Sequence, residues 1–122
     1  MNKTKFIKFL RDYSRENLII VEGKKDKMVF LELDISNVYA IYEIQKVNIR
    51  NFKEAAILTD RDKKGKKIYK FVYNYLSSEG IIINERVRDV FFKLFRVVRI
   101  EELKKDIDKL KYTVNYGLGK VL

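Results

Sequence analysis

The stretch Ala55 to Gly65, A-A-I-L-T-D-R-D-K-K-G, constrains the fold more than any other part of this chain. Ala55 to Thr59 is apolar and short, which predicts a buried strand. Asp60 and Asp62 follow without a break, then two lysines and Gly65, and then a long helical pattern. A strand that runs straight into D-x-D and a helix places two acids at the carboxyl edge of a sheet. In open α/β sheets that edge is where ligands bind.

The rest of the sequence supplies the frame for such a sheet. Phe6, Phe9, Leu10 and Tyr13 recur at helical spacing and predict an amphipathic helix over 3–13. Leu18 to Val21 is wholly apolar and β-branched in character, as expected of a central strand, and it closes on Glu22 and Gly23. Lys24 to Leu33 reads as a helix that buries Met28 and Leu31, with Asp26 favourably placed in its first turn. A second strand is expected over 38–42. The segment 43–52 fits neither period and reads as irregular or as a short helix.

Beyond the D-x-D, the clearest helix spans Lys66 to Ser78, with Ile68, Phe71, Val72, Tyr75 and Leu76 on its apolar face. Gly80 ends it, in the position that favours glycine. A fourth strand is predicted over 81–83, and a helix over 85–95 built on Val87, Val90, Phe91, Leu94 and Phe95. Val97 to Ile100 has the look of an edge strand. A weaker helix follows over 101–111 on Leu103, Ile107 and Leu110. Strands alternating with helices make this an α/β chain with a mostly parallel, four-stranded central sheet and helices on both faces. With 122 residues, no proline and no linker composition, a single domain over 1–122 is expected, with its core over 18–103.

Composition excludes several chemistries. There is no Cys and no His, so disulfides, zinc sites, thiol nucleophiles and Ser-His-Asp triads are out. A metal would have to be held by oxygen, which suits Mg²⁺ or Mn²⁺. The net charge of +10 predicts attraction to nucleic acid, or secondarily to an acidic membrane surface. The same composition also fits the lysine-rich surface of a heat-adapted protein. No apolar run approaches membrane-spanning length, and Met1 to Leu10 lacks the apolar core of a signal peptide, so a cytoplasmic protein is expected.

Two strands thus end in acids, one at Glu22 and the other at Asp60 and Asp62. If they are neighbours, their ends lie about 4.8 Å apart, and three carboxylates that close repel one another unless a cation sits among them. Capping of the following helix is the ordinary alternative for the D-R-D pair. Gly23 and Gly65 would leave the approach open to a phosphate. Lys24, Lys25, Arg61, Lys63, Lys64, Lys66 and Lys67 surround the same edge from two segments and are candidates for phosphate contacts; a solvated face is their plainer reading. This positive charge should lower the pKa of Glu22. Arg86, Arg88, Lys93, Arg96 and Arg99 either extend the basic surface or keep a helix soluble. Gly117-Leu118-Gly119-Lys120 follows no strand and precedes no helix, so it is not a phosphate loop.

The pair L-I-I-V-E-G-K-K-D (Leu18 to Asp26) and A-I-L-T-D-R-D-K-K-G (Ala56 to Gly65) resembles the Toprim domain. That domain is shared by type IA and type II topoisomerases, bacterial primases, OLD-family nucleases, recombination mediator proteins and the ribonuclease that matures 5S ribosomal RNA. The likeness spans roughly Leu18 to Leu103 and is strongest to small stand-alone Toprim proteins of archaea. It implies a Rossmann-like fold, Mg²⁺ at Asp60 and Asp62, and Glu22 as general acid/base in cutting or joining phosphodiester bonds; the placement of the residues leaves Glu22 open as a further metal ligand. The chain is too short for the extra domain that carries a topoisomerase's tyrosine, and it lacks the residues of a primase zinc module. A metal-dependent nuclease is therefore the expected activity. The alternative is a non-catalytic nucleic-acid-binding module or a subunit completed by a protein partner. A receiver-like phosphorylation domain shares the α/β pattern but needs an acidic pair where this chain has Glu22-Gly23-Lys24.

Overall fold

The computed structural model describes residues 1–116. The Gly117–Lys120 motif and the last residues lie outside that range. Four parallel strands form the sheet: β1 (Leu18–Val21), β2 (Val38–Ala40), β3 (Glu54–Ile57) and β4 (Ile82–Ile83), in the order β2-β1-β3-β4. Ile19 pairs with Val38 on one side of β1 and with Ala56 on the other. All four residues of β1 are buried, as befits the strand with neighbours on both edges and layers on both faces.

One face is covered by α1 (Lys3–Glu16), α2 (Lys24–Glu32), α4 (Glu85–Phe95) and α5 (Ile107–Tyr116), which pack on Ile19, Val21, Val38, Ala56 and Leu58. A cluster of rings joins these helices: Phe91 lies 6.2 Å from Phe6, 5.8 Å from Phe30 and 4.9 Å from Phe95, centroid to centroid. The other face is covered by α3 (Lys63–Ser78) and two 3-10 turns (Ile41–Lys46 and Ile49–Asn51), packed on Leu18, Ile20, Ala55 and Ile57. The alternation of β1 and β3 side chains between the two layers follows from the two-residue repeat of a strand. The expected α/β architecture, with a parallel sheet between helices, is what the chain adopts. No helix among the described residues is long and apolar enough to cross a membrane.

Several local expectations need correction. The second strand stops at Ala40, because the chain turns into a 3-10 helix whose Glu43 Oε1 accepts the Ala40 N–H at 3.0 Å. The ambiguous 43–52 segment is largely two 3-10 turns. α3 begins three residues earlier than expected, at Lys63, because Asp62 caps it. Met28 and Leu31 are exposed; the buried stripe of α2 is Asp26, Val29, Phe30 and Leu33, the i, i+3, i+4, i+7 set displaced from the expected one. Phe71 also points to solvent, since Val72 and Leu76 take the sheet-facing side of α3. Val97 to Ile100 is not a strand. It crosses the carboxyl edge of the sheet and leads into a 3-10 helix (Ile100–Asp106), which splits the expected 101–111 helix in two.

Candidate metal centre

The sheet order sets the site. From β1 the chain moves outward to β2, then returns past β1 to β3, so the connections diverge between β1 and β3. That is the switch point at which open α/β sheets leave a crevice. Leu18, Ile19 and Ile20 are in register with Ala55, Ala56 and Ile57, and the pairing continues as Leu58 N–H donates to Ile20 O at 2.7 Å. The two strands therefore end side by side, and Glu22 emerges beside Asp60.

Glu22, Asp60 and Asp62 each present a carboxylate oxygen within 4.8 Å of the others. Each also has one oxygen fixed by the backbone. Glu22 Oε1 accepts the Asp60 N–H at 2.9 Å. Asp60 Oδ1 accepts the Ile100 N–H at 2.8 Å, so the 97–100 segment clamps the D-R-D loop, and Arg61 N–H donates to Val98 O at 2.7 Å beside it. Asp62 Oδ1 accepts the Gly65 N–H at 2.7 Å as the N-cap of α3. The capping and metal-holding readings of the D-R-D pair are thus compatible in one side chain. The remaining Asp62 oxygen lies 3.4 Å from Arg99 Nε.

The donor set fits a hard divalent cation: all oxygen, convergent, and held by main-chain donors that spare the second oxygen of Glu22 and of Asp60. Burial pushes the Glu22 carboxyl above its usual range; the Asp60 N–H opposes this, and the charges of Asp60 and Asp62 add to it. The lowering expected from nearby lysines is overturned, because Lys64 contributes less than burial and the two acids. Burial likewise raises Asp60, against the Ile100 N–H and with the help of Asp62. Asp62 is lowered, first by the Gly65 N–H and then by Arg99.

A fourth acid, Asp26, lines the same depression and is only 7% exposed. Burial, then Asp60 and Glu22, raise its pKa to about 7. The sequence carries the stripe Asp26, Val29, Phe30 and Leu33 as well as the expected one on Met28 and Leu31, and spacing alone does not say which of the two turns inward. Arg88 was not legible as part of the site. It reaches under the β3 end, where Nη1 donates to Thr59 O and Nη2 to Asp60 O at 3.1 Å. The rings of Tyr69 and Phe92 flank its guanidinium at 4.8 and 4.9 Å.

The expected basic residues fall into separate groups. Gly23, Lys24, Lys25 and Lys64 line the acidic depression together with Arg99 and Glu101. Arg61 and Lys66 line an adjoining cleft of about 350 Å³ between α3 and α4, with Arg88, Lys93, Tyr69 and Phe92. Lys67 lies on a third side, and Lys63 is exposed and lines none of these. Gly23 does leave its surroundings open: a Cβ there would meet nothing within 4 Å. Gly65 has a different role from the one expected. It is buried, and a Cβ would fall 2.0 Å from Asp60 O and 2.7 Å from Glu22 Oε1. Its lack of a side chain lets α3 start directly against the acids.

These features define a parallel α/β protein with a carboxylate-lined crevice at the sheet's switch point. The chain belongs to the UPF0292 family: it is 30% identical over 93 residues to UPF0292 protein MJ1624 of Methanocaldococcus jannaschii, a match covering 70% of this chain and 73% of that one. A solved structure of a protein from Aquifex aeolicus superposes with a TM-score of 0.74 at 31% identity, over 83% of this chain and 97% of the other. No family model matches the chain.

Proposed function

We propose that this chain is a Toprim-type protein that acts on nucleic acid, cleaving phosphodiester bonds with Mg²⁺, or Mn²⁺, at Glu22, Asp60 and Asp62. The observation that carries the reading is the convergence of those three carboxylates within 4.8 Å at the ends of two adjacent parallel strands. A divalent ion bound there would neutralise charge on a transferring phosphate and lower the pKa of an attacking water. Asp60 and Asp62 hold the ion. Glu22 keeps Oε1 on the Asp60 N–H and offers Oε2 either to the same ion or to a proton in transit. Lys24, Lys25 and Lys64 meet the flanking phosphates around the acidic depression, and Arg61 and Lys66 extend the track into the adjoining cleft. A cytoplasmic setting belongs to the same proposal.

One observation favours a second reading, a nucleic-acid-binding module without turnover. Asp62 has one oxygen on the α3 cap and the other near Arg99, which competes with a cation for it. Isothermal titration of Mg²⁺ and Mn²⁺ into wild type and Asp60→Asn, followed by incubation with labelled RNA and DNA, separates the two. Metal binding lost in the variant, with cleavage lost in parallel, supports the nuclease. Salt-sensitive nucleic-acid binding that survives Asp60→Asn, with no cleavage by wild type, supports the module.

A further inference from the structure

We propose that the nucleic acid is single-stranded and that Tyr42 and Phe71 stack one of its bases beside the carboxylate cluster. The inference rests on the nucleic-acid reading above and names the substrate class. Phe71 is 63% exposed and Tyr42 62%. Single exposed apolar residues are ordinary, but these two come from different elements, α3 and the 3-10 turn after β2, and converge. With Ile41, Ile68 and Lys67 they line a depression of about 380 Å³ whose acidic wall is Glu22. Glu22 also walls the acidic depression, so the aromatic floor and the candidate metal centre share one side chain.

An occupant that fills both must be flat and apolar on one side of Glu22 and anionic on the other. A nucleotide has that shape: its base lies on the rings while its phosphate faces the cation site, with Lys67 at the rim. Duplexes bury the faces of their bases in the helical stack, so only an unpaired base can lie on exposed rings; stacking of this kind tolerates any base. A protein partner or second copy would cover the rings but has no need of the acid beside them.

Fluorescence anisotropy with Ca²⁺ in place of Mg²⁺, to fill the cation site without supporting cleavage, tests this with a labelled oligothymidylate, an oligouridylate, an abasic strand of equal length and a long blunt-ended duplex. Wild type is expected to bind the base-bearing strands roughly 10-fold or more tighter than the abasic strand. The Tyr42→Ala, Phe71→Ala double variant should bind them at the abasic level, with abasic and duplex binding unchanged, while Tyr42→Phe with Phe71→Tyr restores the difference. Preference for one base-bearing strand over the other identifies RNA or DNA as the source. Equal binding of abasic and base-bearing strands by wild type overturns the stacking site and leaves the nucleic-acid reading standing. So does a base preference that the double variant retains, or sedimentation showing a dimer that the double variant dissolves. No binding of any strand at low salt overturns both.

Discussion

Glu22 Oε1 accepts the backbone N–H of Asp60 at 2.9 Å, so the acid that closes β1 holds in place the first acid that follows β3. The bond joins the two motifs across 38 residues of sequence. It also separates the two oxygens of Glu22, one structural and one available for chemistry.

Glu22→Gln keeps an acceptor for that N–H and should fold as wild type does. Wild type is expected to gain thermal stability as Mg²⁺ is added, by about 2.7 kcal/mol at a hundredfold excess over Kd, and the variant should gain far less. Glu22→Ala removes the acceptor as well and should lose roughly 1–3 kcal/mol even in EDTA. Thermal melts with and without metal check both. A full metal response in Glu22→Gln would remove Glu22 from the ligand set.

Asp62 can be divided in the same way. Asp62→Asn retains a side-chain oxygen for the Gly65 N–H and should melt near wild type in EDTA, yet lose metal affinity in a calorimetric titration. Asp62→Ala should lose both, because the first turn of α3 then has no cap. Equal melting of the two variants in EDTA would show that the cap does not matter.

Gly65→Ala should cost roughly 3 kcal/mol in urea denaturation, since its Cβ would clash with the Asp60 carbonyl, which is backbone and cannot swing aside. Gly23→Ala, at the start of α2, meets nothing and has φ −142°, so it should cost less than ~1 kcal/mol. Similar losses at the two glycines would contradict the packing described at Gly65.

Asp26 predicts a pH dependence. Its folded pKa, about 7, lies above the ordinary aspartate value of 3.8. A neutral Asp26 therefore favours the folded state fully below about pH 4, and that contribution is lost as pH rises through 7, by on the order of a few kcal/mol. Urea midpoints measured in EDTA between pH 4.5 and 8 should fall with rising pH in wild type more steeply than in Asp26→Asn. The variant should be the more stable of the two at pH 8. Parallel curves would mean that Asp26 ionises normally in the fold.

Arg88→Lys retains the charge but not the planar fork that bonds Thr59 and Asp60 carbonyls from between two rings. It should lower stability by roughly 1.5–3 kcal/mol and weaken Mg²⁺ binding, because the D-R-D loop loses its support from below. Unchanged metal affinity in a folded Arg88→Lys protein would make Arg88 a purely structural residue.

The sequence by itself determined the order of the four sheet strands and the main helices, because apolar spacing is a local property: Leu18 to Val21 is β1 as expected and the 55–59 run falls on β3, which spans Glu54–Ile57, whereas the same spacing wrongly suggested a strand at Val97 to Ile100. It determined the candidate ligands too, since Glu22, Asp60 and Asp62 directly follow those strands and parallel pairing sends strand ends to one edge. Only the tertiary structure decided what depends on which face an element turns. The orientation of α3 put Val72 and Leu76 on the sheet and left Phe71 beside Glu22. That of α2 buried Asp26 behind the acids and exposed Met28. Contacts distant in sequence were equally illegible: nothing local in Val97 to Ile100 or in Arg88 says that each will hold the D-R-D loop, because their partners are backbone groups, and every residue has those. The balance of charge at Glu22 was decided there as well. A count of lysines predicts a lowered pKa, whereas burial among other acids raises it.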